Sequence, residues 1–212
     1  MSSLNRTERI KQLRRLFHKS AWRAILLFTT STAHGRLFKR IQKLGTSRYL
    51  DEPEPWFEFG AVDFLAESIS PGMHIFEWGA GASTLWFQNQ GMNVVAVEHD
   101  QQWIEKLSPR CNSTTRLIHS PLDNSYAMPD HDFSHIDLVV IDGRKRNECA
   151  STIANNIRDA SLKSGCIIVF DDSNRHRYFS GIRELASVCA TATHYSGISN
   201  NGEAKTTAIF LV

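Results

Sequence analysis

Phe76-Glu77-Trp78-Gly79-Ala80-Gly81-Ala82-Ser83-Thr84 is the stretch whose reading decides the fold. It closes an apolar run, Met73 to Glu77, whose length and content predict a short buried strand. It opens onto Ser83 to Gln90, which reads as a helix. Glycines at 79 and 81 let the backbone turn tightly and let a ligand approach the main chain, while the helix start offers N–H groups without partners.

The same alternation continues on the C-terminal side. Asn93 to Glu98 reads as a strand, Gln101 to Leu107 as a helix, and Thr115 to His119 as a weaker strand. Ile136 to Asp142 is a strongly apolar strand, followed by a helix from Glu148 to Ser161. Gly165 to Phe170 is a fifth strand, followed by a helix across Ile182 to Cys189. On the N-terminal side, Ala61 to Ile69 is helical and Pro71-Gly72 turns the chain. Thr191 to Gly197 and Lys205 to Val212 bracket Asn200-Asn201-Gly202, a hairpin signal. The expected fold is therefore α/β, a doubly wound sheet of five parallel strands closed by an antiparallel C-terminal hairpin.

At 212 residues the chain is long enough for one such domain and a modest extension. No run of roughly 18 apolar residues exists, and Ala24 to Phe28 is too short and Arg-flanked for a span or a secretory leader. The four cysteines stand far apart with no C-x-x-C pair, which favours reduced thiols and a cytoplasmic location. Charge is divided along the chain: residues 1–50 carry twelve Lys/Arg against Glu8 alone, +11, and residues 51–212 carry −9. Ile10, Leu13, Phe17, Ala21, Ala24 and Phe28 recur at helical spacing within that arm, and a second basic helical turn runs from Leu37 to Leu44. Asp51-Glu52-Pro53-Glu54-Pro55 is a hinge, so residues 1–50 are expected as a basic helical extension and 51–212 as the domain. The arm either docks its apolar face on the domain, lies peripherally on an anionic membrane, or meets a polyanion such as nucleic acid.

In an open parallel sheet, ligands bind beyond the carboxyl ends of the strands. Glu98 ends its strand 17 residues past Gly81, where a carboxylate accepts both hydroxyls of a ribose. Asp142 ends the fourth strand and Asp171-Asp172 the fifth. Three neighbouring carboxylates repel unless a cation or basic groups intervene; one answer is a hard divalent metal such as Mg²⁺, the other is pairing with Arg144, Arg146, Arg175 or Arg177.

Glu77-x-Gly79-x-Gly81-x-Ser83, Glu98 and the Asp142 strand together resemble the Rossmann-like class I S-adenosylmethionine-dependent methyltransferases over residues 55–212. The resemblance implies a seven-stranded sheet with a reversed last hairpin. It implies S-adenosylmethionine against Glu77, Gly79, Gly81 and Ser83, its ribose on Glu98, and its adenine near His99, Ser120 and Leu122. Asp142, Asp171 and Asp172 also resemble the metal-binding acids of the catechol O-methyltransferase branch, with Lys145 at the place of its base. That branch has a longer glycine loop and an amide where Asp172 stands.

A nicotinamide-binding domain is the rival, but its fingerprint needs a small residue where Thr84 stands. The expected activity is methyl transfer to a hydroxyl of a small molecule or glycoside, with Asp142, Lys145 or Asp171 taking the proton. Two alternatives remain: a non-catalytic cofactor-binding module anchored to an anionic partner, and a nucleic-acid methyltransferase. No Asn/Asp-Pro-Pro-Tyr-type motif follows the fourth strand to support the latter.

Overall fold

The computed structural model describes residues 50, 51 and 53–212, all within one compact unit, Gly45–Val212. The helices expected at Ile10 to Phe28 and Leu37 to Leu44 lie outside the described residues.

The described chain runs α1 (Phe59–Ser68), β1 (His74–Trp78), α2 (Ala82–Asn89), β2 (Asn93–Glu98), α3 (Gln101–Leu107), β3 (Thr115–His119) and α4 (Asn124–Ala127). It continues with β4 (Leu138–Ile141), α5 (Arg146–Arg158), β5 (Ile167–Phe170), α6 (Phe179–Ala186), β6 (Thr191–Ile198) and β7 (Ala204–Leu211). The strands form one seven-stranded sheet in the order β3-β2-β1-β4-β5-β7-β6. The first five are parallel, and β7 inserts antiparallel between β5 and β6, pairing Ile168 with Phe210. This is the expected Rossmann-like architecture, doubly wound with a reversed terminal hairpin.

Position in the sheet explains the strand compositions. β4 and β5 are central and buried at every residue, so both are unbroken aliphatic or aromatic runs. Period two divides them between two cores: Ile75, Leu138 and Val140 face one layer, Phe76, Val139 and Ile141 the other. α1 and α2 cover the first layer through Val62, Leu65 and Leu85; α5 and α6 cover the second through Cys149, Ile153 and Leu185. β3 lies at one edge and β6 at the other, and neither has a buried residue, which is why the third strand is weak in the sequence.

Several boundaries differ from expectation, α6 for one running Phe179–Ala186 rather than Ile182 to Cys189, and three differences have local reasons. α1 begins two residues early because the Glu58 carboxylate caps it, accepting from Gly60 N–H at 2.6 Å and Ala61 N–H at 3.2 Å. α5 begins at Arg146 rather than Glu148, directly after Lys145 adopts the left-handed conformation at φ +47°. α4 was not legible at all: it is one turn, started by the Asp123 carboxylate accepting from Ser125 N–H at 2.8 Å.

Candidate active site

The carboxyl ends of β1, β2, β4 and β5 open into one cavity of about 240 Å³. Gly79, Ala80, Gly81 and Ser83 line it from the first loop, Glu98 and His99 from the second. Asp142, Gly143, Arg144 and Arg146 come from the β4–α5 segment, and Arg175, Arg177 and Tyr178 from the segment after β5.

The glycine loop is held from below. Gly79 sits at φ +98°, and a Cβ there would stand 2.7 Å from the Gly143 Cα, so the two loops touch through their main chains. Gly81 is different: at φ −178° it is plainly extended, and its N–H donates to Thr84 Oγ1 at 2.8 Å. Thr84 Oγ1 donates in turn to Glu77 Oε2 at 2.5 Å, and the Ser83 hydroxyl donates to Glu77 Oε1. Thr84, which argued against a nicotinamide domain by its bulk, thus has a positive function as the staple of the turn. Trp103 on α3 adds a bond the sequence did not disclose, its indole N–H reaching Ala80 C=O at 2.7 Å.

Glu77 is therefore a correction to the expected cofactor contacts. It is fully buried, does not line the cavity, and spends both oxygens on Ser83 and Thr84. Burial pushes its carboxyl up to about 8, against the opposing pull of the two hydroxyls. Ser120 and Leu122 also do not line the cavity: Ser120 is buried with Oγ 3.3 Å from Ser125 Oγ, and Leu122 is exposed.

Glu98 lines the cavity with its carboxylate held from one side. Its Oε1 accepts from His99 N–H at 2.7 Å and Asp100 N–H at 2.9 Å, which fixes the carboxylate while Oε2 accepts no hydrogen bond from the described residues. The His99 ring approaches the same Oε1, with Nδ1 at 2.5 Å. Extended glycine backbone on one side and an anchored carboxylate with an unused oxygen on the other suit an adenosyl amino acid.

The three acids do converge, with one oxygen from each within 4.8 Å of the others. Basic groups already occupy the space between them. Arg146 reaches Asp142 Oδ1 at 2.8 Å and Asp172 Oδ2 at 3.2 Å, and donates to the Asp171 carbonyl at 2.6 Å. Arg175 meets Asp172 Oδ2 at 3.0 Å, and Lys205, from β7, bonds Asp171 Oδ2 and lies 3.5 Å from Asp172 Oδ1. Thr207 donates to Asp171 Oδ1 at 2.6 Å. A divalent ion would have to displace two buried cations, so the expected Mg²⁺ site at Asp142, Asp171 and Asp172 does not fit these residues. Arg146 and Arg175 were named in the sequence as the alternative; Lys205 was not, because it arrives from the far end of the chain.

Two further expectations are corrected by position. Asp171 is fully buried behind the cavity, and Lys145 turns away from it, its ammonium donating to Asp123 C=O at 3.0 Å beside a separate cavity. Asp142 alone of the three expected proton acceptors lines the cavity. Burial holds its carboxyl well above the ordinary carboxylate range; Asp171 adds to the effect and Arg146 opposes it.

Residues 76–173 match the family described as "Methyltransferase domain". Among solved structures, the chain is similar to a TehB-like SAM-dependent methyltransferase from Corynebacterium glutamicum (TM-score 0.53, 14% identity, 84% of this chain and 97% of that one). It is also similar to an rRNA methylase from Streptococcus thermophilus (0.51, 17%, 70% and 92%). A third is the N-methyltransferase NodS from Bradyrhizobium japonicum (0.51, 15%, 72% and 92%). At these identities the likeness is one of fold. No curated protein matches the chain.

Proposed function

We infer that the chain is a class I S-adenosylmethionine-dependent methyltransferase, a reading supported by its sheet order and by the methyltransferase-domain match over residues 76–173, and that it methylates a hydroxyl of a small molecule or glycoside. The observation that carries the reading is the meeting of Gly79, Gly81, Glu98 and Asp142 on one cavity, three strand ends apart in sequence. When bound, S-adenosylmethionine supplies an electrophilic methyl group.

The chain's own contribution is position. Gly79 to Ser83 would hold the cofactor's amino-acid end and Glu98 Oε2 its ribose hydroxyls, which would fix its position in the cavity. Asp142, on the same wall, would orient the acceptor hydroxyl and hold its proton once methyl transfer has released S-adenosylhomocysteine. Arg146 holds that carboxylate at 2.8 Å and so sets its direction. Tyr178, whose ring lies 5.1 Å from the Arg146 guanidinium carbon, closes the wall behind it.

Calorimetry with S-adenosylhomocysteine tests the first half. Tight binding by the full chain, lost in Glu98→Ala, is the expected result. Labelled S-adenosylmethionine offered with cell extract tests the second: label in a small, base-stable ether is expected, label on an amine would overturn the hydroxyl assignment, and label in RNA would overturn the small acceptor.

A further inference from the structure

We propose that the methyl acceptor carries an oxyanion, a carboxylate or a phosphate, seated on Arg144 and Arg177 at the mouth of the cavity. The proposal rests on the methyl-transfer reading above and adds the charge of the substrate.

The argument is a balance of charge. Asp142, Asp171 and Asp172 are three acids, and Arg146, Lys205 and Arg175 are the three cations that touch them. That network closes on itself. On the cofactor side, Glu98 has its Oε1 engaged by two backbone N–H groups. Arg144 and Arg177 line the same cavity, and neither guanidinium has a carboxylate partner among the described residues. Both are exposed at the mouth rather than sunk in the wall.

Each is anchored without being neutralised. The main chain of Arg144 donates its N–H to the buried Tyr126 hydroxyl at 3.0 Å, which sets where the side chain departs. The Arg177 guanidinium carbon lies 4.8 Å from the Tyr178 ring centre, a contact that orients a planar group while leaving its N–H fork unspent. Two uncompensated guanidiniums on one small cavity repel, and an oxyanion relieves that repulsion while matching the fork geometry. They come one from each of the segments following β4 and β5, the pair that also carries Asp142 and the acids behind it. A molecule with an anion on those arginines brings its hydroxyl beside Asp142.

The test uses the full chain saturated with S-adenosylhomocysteine, whose affinity is measured first for every variant. Inorganic phosphate and 4-hydroxybenzoate are then titrated calorimetrically, with phenol as the uncharged control. At least one anion is expected to bind and phenol is not; the two anions separate a phosphate acceptor from a carboxylate one. R144Q and R177Q should each weaken that anion about ten-fold, and R177K, which keeps the charge but loses the fork, should fall between. Anion binding that is absent, or unchanged in both variants, would overturn the proposal and leave the methyltransferase reading standing. Failure of the wild-type chain to bind S-adenosylhomocysteine would overturn that reading and this proposal together. A single-stranded RNA oligonucleotide that outcompetes both anions, and loses binding in the same variants, would overturn the small acceptor.

Discussion

Glu98 has one carboxylate oxygen engaged by two backbone N–H groups and one without a donor among the described residues, so its replacement removes a binding contact. Glu98→Ala should weaken S-adenosylhomocysteine binding about ten- to a hundred-fold, the worth of one or two charge-assisted bonds, with little change in melting temperature. Glu77 should behave in the opposite way. The folded chain holds it protonated up to about pH 8, whereas the unfolded chain releases that proton near 4.5. Its contribution to stability is therefore fully present below pH 4.5 and is lost as pH rises through 8, by about 4 to 5 kcal/mol at most. Melting curves from pH 5 to 9 should fall more steeply for the wild type than for Glu77→Gln; parallel slopes would show that burial of the carboxyl does not matter. Asp142 makes the corresponding kinetic prediction. Its raised carboxyl must be ionised to accept a proton, so kcat should climb as pH passes through about 7, and Asp142→Asn should remove that limb along with most of the rate.

Among elements, β7 is the one whose sequence conceals most. It is the only strand of the sheet that pairs antiparallel on both sides, and it delivers Lys205 and Thr207 to Asp171 at the end of β5. Lys205→Met should leave Asp171 without its buried cation and cost about 3 to 5 kcal/mol, measured by urea unfolding. A loss below about 1 kcal/mol would mean that Arg146 alone compensates the cluster. The α5–α6 contact is tighter than its composition indicates, since a Cβ on Gly181 would lie 3.0 Å from Ala150 Cβ and from Asn147. The helix starts follow the same logic. Glu58 and Asp123 cap α1 and α4 through side chains that sequence patterning reads as ordinary acids.

For the whole molecule, the division between +11 in residues 1–50 and −9 in the remainder is a property of the sequence alone. Of the three readings of this arm, docking on the domain, contact with an anionic membrane or with a polyanion, the membrane one is tested directly. The full chain should co-sediment with phosphatidylserine-containing vesicles, less so at high salt, and lose that binding when residues 1–45 are deleted. A truncation that loses solubility but keeps vesicle binding would make the arm structural. The sequence by itself determined the parallel order of strands and helices, the terminal hairpin, the glycine turn and the placement of Glu98. Each of these is written in short-range pattern: period two, period 3.6, or a turn dipeptide. Tertiary structure alone decided which strand β7 joins, that Lys205 stands among the acids, and that Lys145 faces away while Arg146, one residue on, faces in. Those outcomes depend on contacts between residues such as Asp171 and Lys205, 34 positions apart, and on one left-handed residue that redirects a side chain. No local pattern records either.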